Sequence, residues 1–288
     1  MIEPLMIPPK LAVINDIAGY GRCALSVAIP IISAMKVQAC PVPTSCFSNH
    51  MGFPAYFAKD LSDSLPDYLA LWDALGLTFD GIYCGYLNDQ KQAEIFAEFM
   101  HNQKKQTTNQ CKIIIDPIMG DHGVPYKSVT QDYCNMMKKF IAGADILTPN
   151  LTEACMLTDT PYHTRFSQEE LCTLASKLKE QGIEKIVITG IPNTSTSDNA
   201  MIGNFIYENE SSYHLLQNEV CGESRPGTGD MFASIISASA VQGKDFTSSV
   251  KKAADFISLC IKASHTLQMP VEQGVCFELF LDKLNNDF

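Results

Sequence analysis

The chain has no C-x-x-C pair, no apolar run of membrane-spanning length, a single tryptophan and no excess of positive charge. Each of these excludes something. Its eleven cysteines are scattered singly and odd in number, which argues against a disulfide scaffold or a zinc cage and fits reduced, mostly buried thiols. A net charge of −11 argues against nucleic acid or a membrane surface as the main partner. A phosphate ligand stays open, because a nest of backbone N–H groups binds one even in an acidic protein. The opening MIEPLMIPPK has neither the basic nor the apolar region of an export signal, so the expectation is a cytoplasmic protein. No G-x-x-x-x-G-K-[ST] occurs, so phosphate chemistry here needs something other than a P-loop.

What is present is an alternation. The β-type runs LAVIN, VQACPVP, GIYCGYL, KIIIDPIM, ADILTPN and KIVITGI are separated by stretches of helical period. Tyr133, Met136, Met137, Phe140 and Ile141 share one helix face, as do Leu171, Leu174, Ala175 and Leu178. Near-continuous apolar strands between amphipathic helices predict parallel strands buried on both faces. The stretch NAMIGNFIYENESSYHLLQNE instead predicts a hairpin turning near residues 209–211, an antiparallel addition at a sheet edge. Helices are predicted from Asp230 to about Gln242 and from Thr247 to about His265. With no repeat and no long linker, residues 1–288 are expected to form one α/β domain with helices covering both sides of the sheet.

Ligands of such folds bind beyond the carboxyl ends of the strands. Asn15, Asp16, Asp116, Asp121, Thr148, Asn150 and Thr189 all follow apolar runs. GYGRCA (19–24) imitates a dinucleotide fingerprint, but the next strand ends in PVPTSCF with no carboxylate, and Pro30 lies in the helix that would follow. Those glycines are better read as a mobile loop over a ligand. In KIIIDPIMGD, Asp116 and Asp121 can both face a site as hard ligands for Mg²⁺, or can simply belong to a strand-terminal turn. In TPNLTEA, Asn150 and Glu153 have capping-box spacing, and Glu153 can also order a metal-bound water; spacing does not separate the two. Ser167 and Glu170 have the same spacing and are assigned no function.

Gly227-Thr228-Gly229-Asp230 opens an apolar helix. Glycines let backbone N–H groups converge, and the helix adds its positive end, which suits a phosphoryl group in flight. An aspartate at that mouth would repel the phosphate unless a substrate hydroxyl lay between them, where it can act as general base. A favourable first-turn residue would explain Asp230 but not the paired glycines.

Together, GTGD, TPNLTE and DPIMGD resemble the ribokinase-like superfamily of small-molecule kinases, and SCFSNHMGF (45–53) with YCGYL (83–87) resembles its pyridoxal kinase branch, from about Leu11 to His265. The resemblance implies a three-layer α/β/α fold and transfer of the ATP γ-phosphate to the 5′-hydroxyl of a vitamin B6 vitamer. It implies Asp230 as base, with Gly227, Thr228 and Gly229 as anion hole. Asn150, Glu153, Thr148 and Asp121 would handle phosphates, with Asp121 and Glu153 toward Mg²⁺ and with a monovalent cation such as K⁺ as a further companion. Thr189 matches a nucleotide-contacting position, while Asp16, His50, Met51 and Tyr86 match positions lining the vitamer pocket. Family members are commonly homodimers. The chain departs from the branch at Asp16, where many members have serine, and at Met51, where threonine follows the histidine. NDIAGYGRCA also resembles the hydroxymethylpyrimidine kinases, although those usually carry cysteine where Asp230 stands and lack FSNH. A non-catalytic vitamer-binding protein on the same fold is the alternative of another class.

Overall fold

The computed structural model describes residues 7–108, 110–193 and 200–285, and there the apolar runs become strands. The first half runs β1 (Lys10–Ala18), α1 (Leu25–Ala34), β2 (Gln38–Phe47), β3 (Ala58–Asp60), α2 (Leu65–Ala74), β4 (Gly81–Cys84), α3 (Gln90–Gln106) and β5 (Lys112–Ile115). A small hairpin of β6 (Gly120–Asp121) and β7 (Val124–Pro125) follows, then α4 (Gln131–Phe140), β8 (Ile146–Leu147), α5 (Leu151–Leu157) and α6 (Gln168–Lys179). The chain continues through β9 (Lys185–Asn193), β10 (Met201–Asn209), β11 (Ser212–Glu219), α7 (Thr228–Val241) and α8 (Phe246–Thr266).

Among the described residues the main sheet has nine strands, in the order β11-β10-β9-β8-β5-β4-β1-β2-β3. The pairs from β9 to β2 are parallel. Both margins are antiparallel, with β10 and β11 at one side and β3 at the other. Alternate side chains of each central strand enter two separate cores. Ala12, Ile14, Ile82, Ile113, Ile115 and Ile186 pack with α2 to α6 on one face. Leu11, Val13, Tyr83, Ile114 and Val187 pack with α1, α7 and α8 on the other. This double burial is why the strands read as continuous apolar runs rather than alternating ones.

Pro41 and Pro43 are tolerated within β2 because β3 pairs only with Ser45–Phe47, leaving the proline-bearing part as a sheet edge. The expected hairpin turns between Asn209 and Ser212. One strand end differs from the sequence reading: β9 does not stop at Thr189 but continues to Asn193, with a register irregularity against β10 and a positive φ of 70° at Gly190. The bulge bends the strand where its polar edge meets Asn150, which forms an isolated parallel bridge with Thr189.

The C-terminal segment packs on the same chain. Phe277 and Leu284 join the α1/α7/α8 core, and the buried Arg225 guanidinium donates to the carbonyls of Met269 (2.8 Å), Pro270 (3.0 Å) and Gly274 (3.1 Å).

Candidate active site

The end of β1 reaches the amino end of α7 through Asn15, and the end of β5 through Asp116, to which Thr148 after β8 donates; Thr189 on β9 forms a bridge with Asn150. Gly227 adopts a left-handed φ of 83° as the residue before α7, and no side chain caps the helix. The first-turn N–H groups are therefore available to an anion. The two glycines have different reasons. A Cβ on Gly227 would overlap the Arg22 carbonyl oxygen, so the 19–24 loop can dock only on a glycine. A Cβ on Gly229 would meet nothing closer than Asp116 Oδ2 at 3.7 Å, and that residue is exposed at the mouth.

Asp230 follows in the first turn. Its Oδ1 accepts from Asn15 Nδ2 at 3.0 Å and its Oδ2 from the Ala24 backbone N–H at 2.8 Å. Burial raises its carboxyl above the usual range, and these two donors pull it back. The loop expected to move is thus tied at several points. Gly19 N–H donates to the Phe47 carbonyl, Arg22 N–H to the Gln273 carbonyl, and the Arg22 side chain reaches Glu278 at 2.6 Å. Ala24 itself holds a φ of 52° and ψ of −138°, a conformation costly for any residue but glycine, and it aims its N–H at Asp230.

Asp16 is partly buried beside this group, and the hydrogen bond acting on its carboxylate comes from its own backbone N–H. Burial and then the Asp230 charge push its carboxyl up to about 7. Asp116, buried with Thr148 Oγ1 donating to it at 3.1 Å, is also pushed up to about 7, by burial and then Asp230. Thr148 is therefore engaged with a carboxylate rather than free for phosphate.

The capping box at α5 is real and does more than start a helix. Asn150 Oδ1 accepts from Glu153 N–H at 3.0 Å, and Glu153 Oε2 accepts from Asn150 N–H at 2.8 Å. The other ends of both side chains seize the β6–β7 hairpin: Glu153 Oε1 accepts from Met119 N–H, and Asn150 Nδ2 donates to the Gly120 carbonyl. Burial raises the Glu153 carboxyl well above its usual range. The Ser167–Glu170 box is formed too, but exposed, and its hydrogen bonds lower Glu170 instead. Asp121 stands on the captured hairpin with a half-exposed carboxylate, 3.5 Å from His122 Nε2. No cluster of three or more His, Cys, Asp or Glu side chains able to hold a metal occurs among the described residues.

His50 acts as a wedge. Its Nδ1 accepts from Gly52 N–H at 3.1 Å, which leaves Nε2 to donate to the Glu272 carbonyl at 2.7 Å. A Cβ on Gly21 would lie 2.7 Å from the imidazole, so the 19–24 loop, the 48–53 segment and the C-terminal segment close on one ring. Phe53 packs tilted against His50 with ring centroids 4.7 Å apart, Tyr56 and Tyr86 flank Phe47, and Met51 is exposed. Tyr86 is buried and donates to Asn88 Oδ1 at 3.3 Å. Sequence reasoning gave no role to Asn15, Gly85, Ala24 or Arg225, although Asn15 was visible as a polar strand end.

A family profile described as phosphomethylpyrimidine kinase matches residues 73–274. A Bacteroides thetaiotaomicron protein, provisionally named a phosphomethylpyrimidine kinase and crystallised with pyridoxal, is 32% identical with a TM-score of 0.91, covering 98% of this chain and 97% of that one. A pyridoxine/pyridoxal/pyridoxamine kinase of Bordetella avium is 25% identical over 83% of this chain and 79% of its own length. A hydroxymethylpyrimidine/phosphomethylpyrimidine kinase of Aquifex aeolicus is 27% identical over 65% of this chain and 69% of its own. With the mainly parallel three-layer fold, the glycine turn and the profile match over most of its length, the chain belongs to the phosphomethylpyrimidine kinase family and has its ribokinase-like architecture.

Proposed function

We propose that this kinase transfers the γ-phosphoryl group of ATP to the 5′-hydroxyl of a vitamin B6 vitamer, with Asp230 as general base. The observation that carries the reading is Asp230 itself: a carboxylate fixed by two donors at an uncapped helix mouth whose glycine turn leaves N–H groups for a phosphoryl group. The alcohol would lie between carboxylate and phosphoryl group, lose its proton to Asp230 as its oxygen attacks, and find developing negative charge met by the N–H groups of 228–230.

Asp16 favours a pyridine-type ring. It is a partly buried carboxylate with no cationic partner among the described residues, and a protonated ring nitrogen would supply the missing positive charge. A pyridoxal-bound relative at 32% identity supports the same substrate class. Phe47, Tyr56, Tyr86 and the His50–Phe53 pair would form the aromatic wall. Thr189 and the bulge after it would border the nucleotide.

The residues suit Mg²⁺ that arrives on the nucleotide rather than in a protein cage. Such an ion keeps several waters and takes one or two carboxylates. Asp121 would be the direct ligand, and Glu153, whose oxygens already accept backbone N–H groups, would act through water. The ion would supply neutralisation of the phosphate charge.

The profile match and the Aquifex relative favour a second reading, phosphorylation of hydroxymethylpyrimidine. Incubation with ATP, Mg²⁺ and pyridoxal, followed by phosphorus NMR, should give a 5′-phosphate ester, and Asp230→Asn should lower kcat by roughly 10²–10⁴-fold while both ligands still bind calorimetrically. Vitamer binding with no ester from the wild-type protein would instead mark a non-catalytic binding protein.

A further inference from the structure

Asn15 is fully buried at the end of β1, and its amide is almost saturated. Oδ1 accepts from two backbone N–H groups, those of Asp16 and Tyr86, each at 3.0 Å. Nδ2 donates to Asp230 Oδ1 at 3.0 Å. The two N–H donors decide which end of the amide is oxygen, since a flipped side chain would set its NH₂ against both. Nδ2 must then face Asp230. The neighbouring backbone is cut away to make this possible: a Cβ on Gly85 would lie 2.6 Å from Asn15 Nδ2 and 2.8 Å from Cγ. One side chain thus joins β1, the chain leaving β4 and the first turn of α7.

We propose that Asn15 is the positioning residue for Asp230, its amide fixing the carboxylate across the mouth of α7 and holding it ionised, with Gly85 as the space that admits the amide. The role as base rests on the proposed function; the effect on the carboxylate does not. The groups facing Asp230 are otherwise unhelpful to its charge. Asp16 comes from β1, Tyr83 from β4, Asp116 from the end of β5, Tyr126 from the residue after β7 and Cys23 from the 19–24 loop, none of them cationic. Against this acidic surround, Asn15 and the Ala24 N–H are the groups among the described residues whose hydrogen bonds favour the carboxylate. A plain strand-stitching asparagine would leave the ionisation of Asp230 untouched on removal.

The test uses protein labelled with carboxyl-¹³C aspartate, the Asp230 resonance being assigned by its loss in Asp230→Asn. In Asn15→Ala the titration midpoint of that resonance should rise by about one pH unit, the shift that loss of a charge-assisted hydrogen bond carries. The acidic limb of kcat against pH should move alkaline by the same amount, with KM for ATP little changed. Should Asn15→Ala fail to fold, Gly85→Ala, which keeps Asn15 but fills its space, takes over the test with the same expected shift. An unmoved midpoint in either folded variant overturns the proposal, as does a loss of kcat and a rise of KM together with no pH shift. An active Asp230→Asn would remove the base reading, and the midpoint shift would then decide the role of Asn15 by itself.

Discussion

Asp16 shows what a single residue can cost. Its carboxyl keeps a proton up to about pH 7 in the folded chain, against a usual value of 3.8. Between those values the folded state binds the extra proton, so folding stability falls as pH rises and the loss is complete above the folded value. Asp16→Asn removes that loss. Its free energy of unfolding, read by urea denaturation, should exceed that of the wild type by a margin that grows from about pH 4 to about pH 7 and then stays level, on the order of 1 kcal/mol or more at the plateau. Affinity for the vitamer should fall at the same time, a stability gain set against function. A margin independent of pH would contradict the assignment. The Cys23 thiol, nearby, is pushed up by burial and by Asp230 and Asp16, so it stays protonated and is no nucleophile. The placement of Asp230 at a helix mouth was legible in the sequence because its glycines and helix are local. The donors that hold it were not: Asn15 lies 215 residues away in sequence and Ala24 206, and only the fold brings them together.

At the scale of the element, the glycine turn separates into two devices. Gly227→Ala should block docking of the 19–24 loop and force an unfavourable φ, destabilising the protein by roughly 3 kcal/mol or more. Gly229→Ala meets no protein atom closely and should melt near the wild type, yet put a methyl group at the proposed anion site and lower kcat/KM for ATP. Thermal melts with steady-state kinetics on both variants check this; equal melting losses would contradict the division of labour. The capping boxes carry a similar lesson. Asn150/Glu153 and Ser167/Glu170 are the same motif, and spacing alone could not rank them. Burial does: one box is sealed against the β6–β7 hairpin and presents Asp121, the other stands in solvent. The expected helices and hairpin were legible to within a residue or two because their periodicity and turn residues are local, whereas the β9 bulge, set by pairing with β10, was not.

For the whole molecule, the order of nine strands places every contributing strand end on one edge, and the C-terminal segment locks that edge from outside. His50, Arg22 and Arg225 each bond to carbonyls between Met269 and Gly274, so the tail supports the loops that frame the site. No repeat or period in the sequence announced this, since each tie joins one buried or half-buried cation or imidazole to bare backbone. The same architecture serves two substrate classes among the relatives, and in the proposed function Asp230 and Asp16 together select the pyridine alcohol. The most direct test is kcat/KM in an ADP-release assay with pyridoxal, pyridoxine, pyridoxamine and hydroxymethylpyrimidine, each at fixed ATP and Mg²⁺. At least one B6 vitamer should exceed hydroxymethylpyrimidine by about tenfold or more, the worth of one good recognition contact. A preference for hydroxymethylpyrimidine, or turnover of none of the four, would contradict the proposed function.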